Sequence, residues 1–215
     1  MRWGRKDAFP GADGSTITPA NGNNANAETK TIYGPDGNDV LDEDVDGYKR
    51  IEVQQITQEQ SNTINYAIKN PLTYIYSQTK PNDWYASDNM YQNDGLWNDG
   101  KSYKSTYDPC PTHWRVPSDG TWEDFNAITM PMFGSETNVS NGRLYNQQGW
   151  YPLMGRRYSL SGMLCLAGNC GYYWSSSVAA DEGTALSFHV YPGNTMGPSY
   201  ASHRCIGYAV RCVQE

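Results

Sequence analysis

The sequence predicts an α+β fold, with two helices in the first half of the chain and an antiparallel sheet in the second. Two segments between residues 57 and 131 carry apolar residues at helical spacing, and a proline follows each of them. From residue 159 onward, short runs rich in β-branched and aromatic residues alternate with Gly, Asn, Asp and Pro. Helices and strands that are segregated along the chain in this way are typical of α+β proteins.

The composition indicates a single, lean, loop-rich domain spanning residues 1–215. Of the 215 residues 38% are hydrophobic, and the aromatic residues are 17 Tyr and 7 Trp against only 4 Phe. Tyr and Trp combine a large apolar body with a polar tip, so they suit both half-buried loops and recognition surfaces. We find neither an internal repeat nor a domain linker in the sequence.

The charge balance excludes several classes of protein. With 16 Lys and Arg against 23 Asp and Glu, the net charge is −7, and no basic cluster offers the footprint that nucleic-acid binding requires. No run approaches the ~18–20 apolar residues of a membrane span, so no direct membrane insertion is expected. Residues 1–10 contain no apolar stretch that resembles a secretion signal. The expected partners are proteins or neutral ligands.

The first half of the chain is predicted to be loop, helix, strand and loop in that order. The first 50 residues are predicted to be loop, including an acidic run at 36–47. A helix is expected over residues 57–70, because Thr57 and Gln60 fit a capping box and Pro71 stops the helix. Its apolar stripe would be Ile64, Ala67 and Ile68. Residues 72–76 favour a strand. Residues 77–108 form a long loop, in which interleaved Trp and Tyr side chains are expected to act as pins.

A second helix is predicted to begin at Ser118 and to end before Pro131. Trp122, Phe125 and Ile128 would form its apolar face, and the Ser118 hydroxyl would cap it. Four strands follow, within residues 159–166, 171–177, 185–191 and 207–213. The strand around Phe188 alternates, so Leu186, Phe188 and Val190 are expected to face the core, with Ser187, His189 and Tyr191 outward.

Signals for metal or catalytic chemistry are weak. The three His are dispersed and no Cys-x-x-Cys occurs, so no zinc site is expected, and the acidic run lacks the spacing of a calcium loop. Ser175, Ser176 and Ser177 lack the Gly-x-Ser-x-Gly context of a nucleophile. We therefore predict no metal, no cofactor and no catalytic residue. Among the five cysteines, Cys165 and Cys170 bracket a turn and could form a local bridge.

Three motifs in a fixed order resemble a known family. They are Tyr-Asp-Pro-Cys-Pro-Thr-His-Trp-Arg-Val-Pro-Ser-Asp-Gly-Thr-Trp at 107–122, Tyr-Trp-Ser-Ser-Ser at 173–177 and Arg-Cys-Ile-Gly-Tyr-Ala-Val-Arg-Cys-Val at 204–213. Together they resemble the Fibrobacter succinogenes major paralogous domain of fimbrillin-like surface proteins in Bacteroidetes. The opening residues 3–10 resemble the front of the same domain. The resemblance implies a C-type-lectin-like fold, with two helices flanking a twisted antiparallel sheet with long loops. It also implies an extracellular or cell-surface location and a disulfide between Cys110 and Cys212, which leaves Cys205 over.

A narrower resemblance is to the variable proteins of diversity-generating retroelements, which display a hypervariable surface on this fold. It makes residues 171–212 a variable ligand-binding region, in which framework residues such as Trp174, Phe188 and Tyr208 are interrupted by variable positions. A stray Cys205 and an exposed Ile206 between framework residues are expected if these positions are randomised. The candidate ligand-binding residues are Tyr172, Ser187, His189, Tyr191, Met196, Gly197, Tyr200, Ala201, Ser202, His203, Cys205 and Ile206.

Three functions follow from these resemblances. The first is a non-enzymatic domain that binds a protein or glycan ligand on another cell or particle, displayed on a cell surface, a pilus or a phage particle. The second is a structural subunit of a pilus or adhesin, or part of a larger surface protein. The third, a relative of the formylglycine-generating oxidases, is disfavoured because Cys165 and Cys170 lie in a different segment from the reactive pair of that family. Calcium-dependent sugar binding is not expected, since the lectin tripeptides Glu-Pro-Asn and Gln-Pro-Asp are absent.

Overall fold

The computed structural model describes residues 1–6, 8, 50–56, 60–71, 73–97, 101–133, 142–160, 162, 164–181, 183–191, 193 and 195–215. Most of the predicted loop over residues 1–50, including the acidic run at 36–47, lies outside the described residues, as does Thr57. Within the described residues the structure contains both helix and sheet. The α+β prediction is therefore confirmed in its general form.

The structure contains one α-helix, α1, and twelve short strands in the part of the chain that it describes. Helix α1 spans Gln60–Lys69. The strands, in chain order, are β1 Arg50–Glu52, β2 Tyr74–Tyr76, β3 Trp114–Arg115, β4 Met132–Phe133, β5 Gly142–Tyr145, β6 Gly149–Pro152, β7 Arg156–Arg157, β8 Leu164–Cys165, β9 Gly171–Val178, β10 Thr184–Val190, β11 Met196–His203 and β12 Val213–Gln214.

Helix α1 confirms the first predicted helix. Thr63 and Ala67 are buried on its inner face, and Ile64 packs against the core from a partly buried position. Ile68 was expected on the same stripe but is 67% exposed. The helix ends at Lys69, and both the backbone N–H and the side-chain amide of Asn70 donate to the Tyr66 carbonyl oxygen, at 2.8 and 3.0 Å. Pro71 cannot continue the helix, because it has no backbone N–H.

The second predicted helix is wrong, because residues 118–130 form a series of turns. Gly120 has φ of +91°, which is outside the right-handed helical region. Asn126 also competes with a helical ladder, since its side-chain oxygen accepts hydrogen bonds from the backbone N–H groups of Ile128 and Thr129, at 2.9 and 3.1 Å. Trp122 is nevertheless buried, whereas Ile128 is 91% exposed. The predicted pair of helices is therefore not found among the described residues, and the C-type-lectin-like fold stays a prediction.

The largest sheet, in the order β11-β10-β9, is antiparallel. Apolar clusters pack against both faces of β9 and β10. Successive residues of β9 point to opposite faces, so Tyr172 and Trp174 enter one apolar cluster while Tyr173 enters the other. Phe188 and Val190 of β10 join Tyr173. The four remaining sheets are smaller, with the pairings β1-β2, β12-β3, β4-β5-β6 and β7-β8.

The chain after β11 turns back along β9, and this return explains the double burial. Ala209 pairs with Tyr173 in a parallel bridge, and its carbonyl oxygen accepts a hydrogen bond from the Trp174 backbone N–H, at 2.9 Å. This places the ring of Tyr208 against Tyr172, at 4.9 Å between centroids, and against Trp174, at 4.5 Å. The face of β10 that was expected to be solvent-exposed is covered as a result.

The predicted disulfide between Cys110 and Cys212 is present, and their Cα atoms are 5.7 Å apart. It joins the loop before β3 to the segment before β12, next to the pairing of these two strands. A disulfide is typical of proteins that fold in an oxidising compartment. It closes a loop of 102 residues and so constrains the unfolded chain strongly.

Tryptophans pin the long loop over 77–108, as the aromatic spacing predicted. Trp84 and Trp97 are buried, and the Trp84 indole N–H donates to the Trp3 carbonyl oxygen, at 2.7 Å. The tyrosines divide, because Tyr85 is buried whereas Tyr103 is 68% exposed. The described part of the chain contains no helix that is long and apolar enough to cross a membrane.

Candidate functional site

The twelve candidate ligand-binding residues divide into two groups of six by their exposure. In the first group, which we call the exposed group, every residue is partly or fully exposed: Tyr191, Met196, Gly197, Tyr200, Ala201 and His203. In the second, the buried group, every residue is at most 6% exposed: Tyr172, Ser187, His189, Ser202, Cys205 and Ile206. The structure thus brings the set together at one strand, β11, and the core beneath it.

The exposed group lies mainly on β11, which is the edge strand of the largest sheet. Tyr200 is the most prominent of its aromatic side chains, with 53% of its surface exposed. The pairing between β10 and β11 is irregular between Ser187 and His189. Pro198 lies in the corresponding part of β11, and it has no backbone N–H to donate to the ladder.

The buried group contains a hydrogen-bonded network beneath the exposed tyrosines. The Ser187 hydroxyl lies 3.0 Å from His189 Nε2 and 3.0 Å from the Ser202 hydroxyl. His189 Nδ1 lies 2.9 Å from the Tyr191 hydroxyl, and the His189 ring stacks on Tyr200 at 4.5 Å. Because hydrogen bonds satisfy these polar groups, they can remain in a dry interior. The network therefore holds two members of the exposed group in place.

The prediction that Ser187 and His189 point into solvent is wrong, since they are 0% and 2% exposed. Tyr172 and Tyr208 cover them, with ring centroids 4.8 and 5.5 Å from that of His189. Burial, together with a smaller contribution from the positive charge of Arg156, lowers the pKa of His189 from its ordinary 6.5 to about 3. His189 is consequently neutral at physiological pH.

Cys205 and Ile206 are also buried, at 0% and 6% exposure, which corrects the expectation of a stray thiol and an exposed isoleucine. The Cys205 carbonyl oxygen accepts a hydrogen bond from the Tyr74 hydroxyl at 2.6 Å, and its N–H donates to the Asn82 carbonyl oxygen at 3.1 Å. Burial raises the pKa of the Cys205 thiol well above its ordinary value. Both residues are therefore part of the core, so a substitution at either position would have to fit the surrounding packing.

Cys165 and Cys170 are free and buried, without the local bridge that their spacing allowed. Burial raises the pKa of both thiols. Cys165 lies opposite Arg156 in the pairing of β7 with β8, and Cys170 immediately precedes β9. Residues 165–170 therefore link β8 to β9, which contains Tyr172. The sequence did not predict that this segment lies beside the candidate site.

The serine run in β9 is structural in its contacts. Ser175, Ser176 and Ser177 are 0%, 1% and 8% exposed. The Ser175 hydroxyl donates to the Leu186 carbonyl oxygen at 3.0 Å, and the Ser176 hydroxyl donates to that of Pro117 at 3.3 Å. Hydroxyls that are occupied by backbone carbonyl oxygens are not oriented toward a substrate. In the described ranges, no three His, Cys, Asp or Glu side chains gather in an arrangement that could hold a metal ion.

A polar pocket lies beside His203, at the end of the sheet opposite Tyr172. Its volume is about 330 Å³, and its polar lining is formed by Lys80, Asn82, Asn89, Asp181, Thr184 and His203. Burial lowers the pKa of His203, and the positive charge of Lys80 lowers it further. Sequence reasoning missed the contribution of residues 80–89, because they are more than 100 positions away from β11 along the chain.

Comparison with known proteins adds no family assignment, since no family model, curated protein or solved structure matches the chain.

Proposed function

We propose that the protein is a non-enzymatic binding domain that recognises a protein or glycan ligand through the exposed group and the polar pocket beside it. The observation that carries the proposal is the contrast within one sheet. Strands β9 and β10 are buried on both faces, whereas Tyr200, Ala201 and His203 of the neighbouring β11 are exposed. A rigid scaffold that presents exposed aromatic and polar side chains limits the entropy lost on binding.

The proposal includes variation at the exposed group, as in the variable proteins of diversity-generating retroelements that the sequence resembles. The residues assigned to the framework support it, since Trp174, Phe188 and Tyr208 are 0%, 0% and 2% exposed. Their burial fixes the backbone on which the exposed side chains stand. The disulfide and the proposed function favour a cell-surface or extracellular location.

The first experiment asks whether these positions vary. We would sequence the locus across isolates and look for a neighbouring reverse transcriptase with a near-copy of the region that encodes residues 171–212. Variation concentrated at the exposed group is the expected result. Identical residues at all twelve candidate positions across isolates would contradict the variable surface.

The second experiment tests binding directly. Immobilised protein would be probed with a printed glycan array and with a panel of intact bacterial strains, and Tyr200→Ala and His203→Ala would be compared with the wild type. Tyr103→Ala is the matched control, because Tyr103 is also exposed, at 68%, but lies in the 101–108 loop. We expect the first two variants to weaken capture and the control to retain it. Unchanged capture by both variants would refute the proposed site.

A structural subunit of a pilus or adhesin is the second candidate, and one observation favours it. Strand β11 has eight residues and no further strand paired to its outer edge within the described residues. An open edge of this length can accept a strand from another chain. Light scattering after size exclusion separates the two candidates, since concentration-dependent assembly that is lost on Tyr200→Pro would favour the structural subunit.

A further inference from the structure

Arg156 lies next to the buried group, although it is outside residues 171–212. It belongs to β7, is partly buried, and its guanidinium carbon lies 5.2 Å from the ring centroid of Tyr172 and 5.6 Å from that of Tyr158. Tyr172 in turn contacts His189, on which Tyr200 stacks at 4.5 Å. Two ring contacts therefore connect Arg156 to the most exposed aromatic residue of the exposed group.

The contacts of Arg156 differ from those of other arginines in the protein. Arg143 donates to the carbonyl oxygens of Met130, Tyr191 and Gly193, and Arg211 donates to that of Trp150. Arg204 pairs with the carboxylates of Asp83 and Asp94, at 3.8 and 2.6 Å. Most of these guanidinium groups thus have an oxygen that carries full or partial negative charge as acceptor.

Arg156 has only neutral neighbours among the described residues. Its polar neighbours are the Cys165 thiol and the Tyr208 hydroxyl, and its Nε is buried without a hydrogen-bond partner. Burial raises the pKa of Tyr172, Tyr208 and Cys165, and the pKa of His189 is lowered to about 3, so all four are uncharged near pH 7. A guanidinium is always charged at this pH, and no carboxylate of the described residues pairs with this one.

An uncompensated guanidinium beside a binding surface favours an anionic group on the ligand. A carboxylate matches the planar fork of arginine, and such hydrogen bonds are about twice as strong as neutral ones. Because Nε is buried, a ligand would reach the guanidinium through its terminal nitrogens. The net charge of −7 predicts neutral ligands, but the described groups that Arg156 contacts are neutral and so do not offset its positive charge.

We propose that Arg156 binds the carboxylate of an acidic sugar, so that the ligand class of the exposed group is an acidic glycan; this rests on the proposed function. The sugar part of the assignment comes from two exposed rings. The ring centroid of Tyr158 lies 5.6 Å from the guanidinium carbon, and Tyr200 is connected to Arg156 through Tyr172 and His189. Tyr158 is 39% exposed and Tyr200 is 53% exposed. Each presents a flat apolar face and a hydroxyl, which suits the mixed apolar and polar surface of a sugar ring.

The test uses galacturonate as the probe and galactose as its neutral counterpart. Binding to the full chain is followed by saturation-transfer NMR, and the Kd is obtained from ¹H–¹⁵N chemical-shift titration. We expect wild-type protein to bind galacturonate in preference to galactose. Arg156→Gln should weaken galacturonate binding at least about tenfold, which corresponds to the loss of a charge-assisted hydrogen bond. Arg156→Lys keeps the positive charge but loses the planar fork of the guanidinium. Its affinity for galacturonate should therefore lie between those of the wild type and Arg156→Gln.

Arg211→Gln is the matched control. Its guanidinium also lies over a tyrosine ring, 4.4 Å from the centroid of Tyr151, but in the other apolar cluster. We expect this variant to bind galacturonate like the wild type. A matching urea midpoint for Arg156→Gln and wild type shows that its loss of binding is not a loss of folding, and the intermediate affinity of Arg156→Lys provides a second check.

Several outcomes would overturn the inference. They are equal binding of galacturonate and galactose, no binding of galacturonate by the wild type, and unchanged binding by Arg156→Gln. Preferential binding of N-acetylaspartate amide over galacturonate would overturn the sugar assignment in favour of an acidic peptide. If Tyr200→Ala and His203→Ala impair capture of cells or glycans while Arg156→Gln does not, the inference fails and the proposed function stands. The reverse result leaves Arg156 as an anion site and refutes the proposed function.

Discussion

The buried His189 should make the protein lose stability as the pH falls from 7 to 5, and substitution of this residue should remove that part of the loss. The reason is the difference between its two states. In the folded protein, burial holds the pKa of His189 at about 3, whereas the unfolded chain has the ordinary value of 6.5. Between these values the unfolded state binds a proton that the folded state does not.

The sign and size follow from this difference in proton binding. The contribution of neutral His189 to the free energy of unfolding is fully present above pH 6.5. It is lost as the pH falls toward 3, at up to about 1.4 kcal/mol per pH unit. At pH 5 the free energy of unfolding should be lower by about 2 kcal/mol than at pH 8, from His189 alone. Below pH 3 the loss approaches its limit of about 5 kcal/mol, since the pKa values differ by about 3.5.

The assay is urea unfolding followed by tryptophan fluorescence at pH 8, 7, 6 and 5, on wild type and His189→Phe. Phenylalanine preserves a ring that can stack on Tyr200 and meet Tyr172 edge to face, but it has no nitrogen to titrate. All carboxylates are common to both proteins, so their contribution cancels in the difference between the two unfolding free energies. The unfolding free energy of the wild type minus that of His189→Phe should therefore fall by about 2 kcal/mol from pH 8 to pH 5.

The matched control is His113→Asn, because the side chain of His113 is exposed and its φ of +66° is one that Asn tolerates. The unfolding free energy of His113→Asn minus that of His189→Phe should fall with pH as it does for the wild type. A constant difference between wild type and His189→Phe across the four pH values would refute the reasoning, because it would show that folded His189 titrates as it does in the unfolded chain.

Three further predictions concern stability and thiol chemistry. Replacement of both Cys110 and Cys212 by Ser should lower the unfolding free energy by up to about 4.7 kcal/mol, the value for closing a loop of about 100 residues, and an unchanged urea midpoint would contradict it. Gly183 and Gly193 have φ of +72° and +73°, but a Cβ at Gly183 would overlap the Pro81 carbonyl oxygen, whereas one at Gly193 would have no atom within 4 Å. Thermal unfolding should therefore show that Gly183→Ala costs at least about 2 kcal/mol more than Gly193→Ala, and equal losses would argue against the packing at Pro81. Ellman's reagent should react slowly with the folded protein and should titrate three thiols in urea without reductant, from the buried Cys165, Cys170 and Cys205, whereas a single thiol would indicate a second bridge.

The helix predictions show where sequence periodicity is sufficient and where it is not. Residues 60–69 contain neither Gly nor Pro, and the helix forms. Over residues 118–130 the same apolar spacing is present, but Gly120 and Asn126 favour turns, and tertiary burial of Trp122 does not require a helix. Side-chain hydrogen bonding to the local backbone decided the outcome, and the apolar period does not report it.

The sequence predicted where the candidate site lies in the chain but not which of its residues are buried. Alternation along β10 correctly placed Phe188 and Val190 in the core. It misassigned Ser187 and His189, because their cover is Tyr208, which comes from the return of the chain along β9 and is distant in sequence. Arg156 was missed for a related reason, since its position beside Tyr172 depends on the pairing of β7 with β8.

The hydrogen-bonded network beneath β11 has a consequence for how such a surface can evolve. Ser187, His189 and Ser202 share their hydrogen bonds, so a change at one of them leaves a buried polar atom of another unsatisfied unless that residue changes as well. Of the twelve candidate positions, the six buried ones are constrained by the core, and Tyr191 and Tyr200 of the exposed group contact the network through His189. Met196, Gly197, Ala201 and His203 are therefore the positions that can change most independently. If the buried six are fixed, the number of folded combinations is the square root of what twelve independent positions would provide. A repertoire built on this chain would be correspondingly smaller, and in sequences where Ser187 or Ser202 does change, the two should change together.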